Sequence, residues 1–88
     1  MAKKKVTFSF RTKQEFHDVK LAGNFTNWDH GAIMMTKGLT GEWKAQAALE
    51  PGEYEYKFMA DGVWFNDPRA EKKVRNSLGS ENSVKVVR

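Results

Sequence analysis

The chain has 88 residues, of which 40% are hydrophobic and 30% are charged. That length supports one modest core, so residues 1–88 are expected to form a single module with a core at about residues 6–87, without a second domain of separate activity. The formal net charge is +4, but most basic residues are interleaved with acidic ones, which disfavours a nucleic-acid partner.

Metal and membrane chemistry are also disfavoured by the composition. The chain has no cysteine, and its two histidines, His17 and His30, lack companion ligands in the sequence, so no metal or other cofactor is expected. No segment approaches the roughly 18 consecutive apolar residues of a membrane span, and the first residues lack the apolar run of a signal peptide. The sequence therefore predicts a cytoplasmic protein with no membrane partner.

Alternating apolar and polar residues dominate the chain, beginning with Val6, Phe8 and Phe10 on one face of the first predicted strand. No helix is predicted, and the stretch 69–82 is interpreted as a polar segment. About seven short strands separated by turns favour a two-sheet antiparallel β-sandwich, with a five-stranded oligonucleotide-binding barrel as the alternative. The predicted strands cover residues 6–11, 19–21, 33–35, 43–49, 54–60, 63–66 and 84–86.

Asp61-Gly62 lies between two alternating runs and predicts a two-residue hairpin turn, because both central positions need a positive φ that Asp and Gly tolerate. The register of the hairpin follows from this turn, and successive side chains alternate between its faces. The predicted pairs are Ala60 with Val63, Met59 with Trp64, Phe58 with Phe65, and Lys57 with Asn66.

One face of this hairpin is a candidate binding surface. Phe58 shares its face with Tyr54 and Tyr56, which makes that face the core. Trp64 and Lys57 therefore point outward together. An indole plane stacks on the C–H groups of a pyranose ring while an amine bonds its hydroxyls, so the pair suits sugar recognition. The alternative is that Trp64 merely covers a neighbouring side chain or loop.

The other two tryptophans differ in context. Trp28 ends the polar turn segment 23–28, in which Phe25 is the expected buried anchor, so Trp28 is predicted to be carried outward. Trp43 alternates with polar residues along a predicted strand that ends at Leu49. Trp43 is therefore assigned to the core.

Four segments of the chain occur in the order and spacing of a known family. They read VKLAGNFTNW at residues 19–28, LEPGEYEYKF at 49–58, DGVW at 61–64 followed by Asp67-Pro68, and LGSENSV at 78–84. Together they resemble carbohydrate-binding module family 48, which includes the glycogen-binding domain of the AMP-activated protein kinase β subunit and the N-terminal modules of branching and debranching enzymes.

The resemblance implies an early-set immunoglobulin-like β-sandwich that binds α-1,4-linked glucans such as glycogen, starch or maltooligosaccharides without catalysis. In glycogen-binding members, two tryptophans stack on glucose rings, a lysine bonds hydroxyls, a loop leucine reaches the sugar and an asparagine follows it. Ser80 and Asn66 are further candidates. The positions of this sequence that match the family's site are Trp28, Trp64, Lys57, Leu78 and Asn82.

Two other functions stay open at this level. The domain could instead be a docking or regulatory module for a larger protein partner in a glycan-metabolising or kinase complex. An enzyme is disfavoured, because glycoside hydrolysis needs two carboxylates facing each other across a cleft at about 5 to 10 Å, and the sequence has no nucleophile motif or phosphate-binding glycine loop.

Overall fold

A computed structural model describes residues 3–88 of the chain. Nine β-strands and one short 3-10 helix are formed in this part, and the helix covers Trp28–Gly31. The strands are β1 (Lys4–Arg11), β2 (Val19–Gly23), β3 (Ile33–Met34), β4 (Thr36–Lys37), β5 (Glu42–Leu49), β6 (Gly52–Ala60), β7 (Val63–Phe65), β8 (Lys72–Arg75) and β9 (Glu81–Val87).

The strands form two antiparallel sheets that pack face to face. The smaller sheet has the order β1-β5-β4, and the larger has the order β3-β2-β6-β9-β8 with β7 also paired to β6. Strand β6 is long enough to serve two partners on one edge, because β9 pairs with its first half and β7 with its last three residues. This arrangement confirms the predicted all-β, immunoglobulin-like sandwich and rejects the five-stranded barrel.

Aromatic side chains from both sheets meet in the core. Phe10 of β1 lies 4.7 Å from Phe58 of β6, measured between ring centroids, and Phe8 lies 5.0 Å from Tyr56. These four side chains are almost fully buried, as the alternation of apolar residues predicts. Trp43 is buried in the same cluster, which confirms its assignment to the core.

The β6–β7 hairpin has the predicted register. Asp61 and Gly62 both have positive φ, at 48° and 83°, as a turn of this type requires. The observed pairs are Ala60 with Val63, Met59 with Trp64 and Phe58 with Phe65. The predicted fourth pair is wrong, because β7 ends at Phe65. The next residue, Asn66, instead accepts a hydrogen bond from Ser83 of β9 through its side-chain oxygen.

One interpretation of the chain between strands is also wrong. The segment 69–82 is not simply polar connection, since it contains β8 and the start of β9. Strand β8 is a lysine-rich edge strand, and charged residues on an edge hide the usual alternation. Residues 28–31, in the turn-rich stretch after β2, form a short 3-10 helix that is too short to give a helical periodicity.

Candidate functional site

The outward face of the larger sheet carries a depression of about 540 Å³. All five predicted site residues contribute to its lining, together with Ser80, whereas Asn66 does not. Residues distant in sequence are therefore brought together by the pairing of β6 with β7 and β9. The lining residues are Trp28, Glu55, Lys57, Trp64, Asn76, Ser77, Leu78, Ser80 and Asn82.

Trp64 stands on the outer face because of the hairpin register. Its strand partner is Met59, which alternates with the buried Phe58 and so also points outward. The side chain of Trp64 is 40% exposed, which is high for an indole and leaves one broad apolar surface open to the depression. The outward orientation predicted for this residue is confirmed.

Trp28 reaches the same depression from the loop after β2. Phe25 is packed inward against Phe8 and Tyr54, with ring centroids 5.5 and 5.8 Å apart, and so serves as the predicted anchor. The loop then turns sharply, because Asn27 and Trp28 have φ values of 58° and 55°. This left-handed conformation is rare for a bulky residue, and the hydroxyl of Thr26 supports it by donating to the carbonyl of Trp28 at 2.9 Å.

The half-buried Trp28 and the exposed Trp64 form a perpendicular pair. The ring centroids of Trp28 and Trp64 are 6.5 Å apart and the ring planes meet at 81°. Edge-to-face geometry of this kind is favourable between aromatic rings, and both indoles line the depression. The pair therefore presents two apolar surfaces in different directions at one side of the depression.

Polar groups form the floor beside these rings. Lys57 and Glu55 point to the same side of β6, two residues apart, and both line the depression. Asn82 of β9 is 5% exposed, and its amide nitrogen donates to Glu55 at 3.0 Å. The floor thus combines an amine, a carboxylate and an amide, which are the donors and acceptors that hydroxyl groups need.

Leu78 lines the depression from the turn between β8 and β9. It is 91% exposed, so it adds a solvent-accessible apolar surface to the aromatic and polar groups of the depression. Gly79 has a φ of 84° and closes the turn through a hydrogen bond from its amide to the carbonyl of Asn76.

Three lining residues, Glu55, Asn76 and Ser77, are absent from the sequence-based prediction. Glu55 lies on the same alternating face as Lys57, so the periodicity contains the signal that would have found it. Asn76 and Ser77 belong to the β8–β9 turn. Their position depends on strand β8, which the sequence did not reveal.

A buried hydrogen bond stabilises the strands of the site on the core side of the larger sheet. The hydroxyl of Tyr56 donates to Asp67 at 2.6 Å, and the amide of Asp67 donates to the hydroxyl of Ser83 at 2.9 Å. These contacts join three parts of the chain: strand β6, strand β9 and the segment that follows β7. Burial of the phenol, reinforced by its hydrogen bond to Asp67, raises the pKa of Tyr56 well above its ordinary value.

Two further features are absent from residues 3–88, a metal-binding cluster and a membrane-spanning helix. In this range no group of three or more histidine, aspartate or glutamate side chains could hold a metal ion. No helix in the same range has the length and apolar character needed to cross a membrane. The site thus consists of aromatic surfaces and hydroxyl-bonding groups on the face of a small β-sandwich, which is the architecture of a carbohydrate-binding module.

Comparison with known families identifies the family to which this module belongs. Residues 6–88 match the family described as the glycogen recognition site of AMP-activated protein kinase. Because the match covers nearly the whole chain, the chain belongs to this family of glycogen-recognition modules. Both the family and the glucan-binding function predicted from the sequence are thereby confirmed.

Curated relatives agree with this assignment. The rice protein FLOURY ENDOSPERM 6, chloroplastic (Oryza sativa subsp. japonica) is 37% identical over 70 residues, which cover 80% of this chain and 13% of the rice protein. The 5'-AMP-activated protein kinase subunit beta-1 of Sus scrofa is 36% identical over 67 residues, or 76% of this chain and 52% of that subunit. The human subunit is also 36% identical over 67 residues, with 76% and 23% covered. The chain thus spans about half or less of these relatives' length.

Proposed function

We propose that this module holds an α-1,4-linked glucan in the depression on its larger sheet and does not cleave it. The observation that carries the proposal is the perpendicular pair of Trp28 and Trp64 beside the polar floor. In this arrangement the indoles stack on successive glucose rings. Lys57 and Asn82 bond the hydroxyls, and Leu78 contacts the sugar from the other side.

The angle between the rings supports an α-linked ligand. Two stacking surfaces inclined at 81° suit a chain whose successive sugar rings turn relative to one another, as they do in the helical α-1,4-glucans. A flat β-1,4-linked chain presents nearly coplanar rings and stacks on one indole at a time. We therefore expect maltooligosaccharides to bind more tightly than cellooligosaccharides of the same length.

The exposed area of Trp64 gives the scale of the interaction. A tryptophan side chain has up to about 250 Å² of surface, so 40% exposure leaves about 100 Å² available. Covering most of that area contributes about 2 kcal/mol at about 25 cal/mol per Å². After the costs of association, this surface, the smaller exposed part of the half-buried Trp28 and a few polar contacts correspond to a Kd between about 1 mM and about 10 μM.

Isothermal titration calorimetry with maltoheptaose tests the proposal. The measured signal is the heat of binding, which, unlike tryptophan fluorescence, is not removed when the tryptophans are replaced. Trp64→Ala is expected to weaken binding about 30-fold, the equivalent of about 2 kcal/mol, and the Trp28→Ala, Trp64→Ala double variant to abolish it. Leu39→Ala is the control, since Leu39 is fully exposed on the β4–β5 turn and outside the depression. Absence of binding at millimolar sugar, or unchanged binding by the double variant, would refute the proposal.

A second role in protein assembly is supported by the relatives' names. Two of the compared relatives are named as kinase subunits, and the chain covers only part of each. We propose, as an alternative, that the module docks on a larger protein partner. Stoichiometric co-purification of a protein without association with a glycogen pellet would favour docking. Association with the pellet that is competed by maltose-type sugars would favour glucan binding.

Cytoplasmic localisation stays a prediction. One relative is named as chloroplastic, so location varies with the protein that carries such a module. Fractionation of the source cells with an antibody against the module would test this prediction directly. Recovery with a membrane or organelle fraction would contradict it.

A further inference from the structure

The β8–β9 turn carries Leu78 to the rim of the depression, and one side chain organises it. Asn76 accepts hydrogen bonds through its Oδ1 atom from the amides of Leu78 and Ser80, at 3.0 and 3.2 Å. Its Nδ2 atom donates to the hydroxyl of Ser80 at 2.8 Å and to the Oδ1 atom of Asn82 at 3.1 Å.

These four bonds use the whole hydrogen-bonding capacity of the amide group. An asparagine side chain has two N–H donors and one oxygen with two lone pairs. With both hydrogens and both lone pairs engaged inside the protein, Asn76 has nothing left for a sugar hydroxyl, although it lines the depression. Its contribution to binding must therefore act through the residues that it holds.

The direction of the bonds is fixed by Glu55. A carboxylate only accepts hydrogen bonds, so the amide nitrogen of Asn82 faces Glu55 at 3.0 Å and its oxygen faces away. That oxygen requires a donor, which Asn76 supplies, and the oxygen of Asn76 is then turned toward the backbone amides of the turn. The amide groups of Asn82 and Asn76 therefore each have one orientation in which all of these hydrogen bonds can form.

Asn82 keeps some capacity for a ligand. One hydrogen on its Nδ2 atom and one lone pair on its Oδ1 atom remain after the bonds to Glu55 and Asn76 are counted. The amide of Asn82 is thus held in one orientation, and its remaining hydrogen and lone pair are available to a ligand. Leu78, in contrast, is 91% exposed, and its location depends on the backbone of the turn.

We propose that Asn76 is a positioning residue for glucan binding, which holds Leu78 over the depression and fixes the amide of Asn82 toward the sugar. This inference rests on the proposed function. Ordering an exposed turn before the ligand arrives reduces the entropy lost on binding. Loss of the Asn76 side chain therefore weakens binding without removing a contact to the sugar.

The test uses the complete chain with maltoheptaose as the probe. Leu78→Ala is expected to weaken binding about fivefold, the loss that corresponds to about 40 Å² of apolar contact. Asn76→Ala is expected to weaken binding by at least as much. In the double variant the two losses are expected not to multiply, because Asn76 acts partly through Leu78. Leu39→Ala, another exposed leucine on a turn, is the matched control and binds as the unmodified protein does.

Two further measurements separate positioning from general stability. Asn76→Asp retains the oxygen that accepts the two backbone amides but replaces the donor to Asn82 by an acceptor, so it is expected to keep the turn ordered and still to bind more weakly than the unmodified protein. The NMR order parameter of the Leu78 methyl groups is expected to fall in Asn76→Ala and to remain high in Asn76→Asp, while the order parameter of Leu39 is the same in both.

The outcomes are distinct. If the unmodified protein gives no response to maltoheptaose, the proposed function fails and this inference fails with it. If it binds, and Asn76→Ala binds equally well, only the inference is overturned. An order parameter of the Leu78 methyl groups that does not fall in Asn76→Ala, or losses that multiply with Leu78→Ala, would also overturn it.

Discussion

Replacing Tyr56 by phenylalanine removes one hydroxyl from the best-defined polar contact of the core. Tyr56 is 1% exposed, and its hydroxyl lies 2.6 Å from the carboxylate of Asp67, which is itself buried. A hydrogen bond to a charged group contributes about 1.5 to 3 kcal/mol, and its loss leaves the carboxylate oxygen without that donor. For a domain of this size, about 2 kcal/mol lowers Tm by roughly 8 to 16 °C.

Tyr54 provides a matched control on the same face of β6. Its hydroxyl donates to the backbone carbonyl of Glu50 at 2.7 Å, but the side chain is only partly buried and the acceptor is neutral. Tyr54→Phe is therefore expected to cost less than about 1 kcal/mol. Thermal unfolding followed by circular dichroism measures both variants. If Tyr56→Phe loses no more unfolding free energy than Tyr54→Phe does, the assignment of this energy to the buried bond is refuted.

The pH dependence gives a second signature of Tyr56. Because its pKa is raised in the folded protein, first by burial and then by the bond to Asp67, the unfolded chain loses the phenolic proton at lower pH than the folded one. The stabilisation is complete below about pH 10, the ordinary tyrosine value, and decreases as pH rises above it. The stability advantage of the unmodified protein over Tyr56→Phe is expected to shrink in alkaline unfolding experiments.

Three substitutions elsewhere test the turns. The amides of Asp18 and His17 hold the pKa of Asp61 below its ordinary value, so its stabilisation is complete above about pH 5 and is lost as pH falls below that, and Asp61→Asn should flatten the dependence of Tm below about pH 5. Gly62→Ala, where a Cβ meets open space but φ is positive, should cost about 1 kcal/mol in urea unfolding. Gly23→Ala places a Cβ 2.4 Å from a backbone oxygen and should prevent folding, seen as loss of NMR dispersion; a folded variant would contradict this.

The β6–β7 hairpin shows how much of the site can be predicted from local sequence. A two-residue turn sets the register of its strands, and register sets which face each side chain occupies. The orientation of Trp64 could therefore be derived from the sequence of the turn and the strands that flank it. Nothing outside this segment was needed.

Other parts of the site depend on contacts between distant segments. The orientation of Trp28 requires positive φ at two successive non-glycine residues, for which the sequence offers no local signal. The role of Asn76 requires the pairing of β8 with β9 and the carboxylate of Glu55. Strand β8 itself was missed because its lysines face solvent at the sheet edge, where charge replaces alternation.

Strand β6 divides its residues between two tasks with a period of two. Tyr56 and Phe58 face the core, and Glu55 and Lys57 face the depression. A shift of one residue in the pairing of β6 would exchange these two sets, placing charges in the interior and aromatic rings in the solvent. A one-residue slip would therefore disrupt the core and the binding face together, so the alignment that folding requires is also the alignment that assembles the depression.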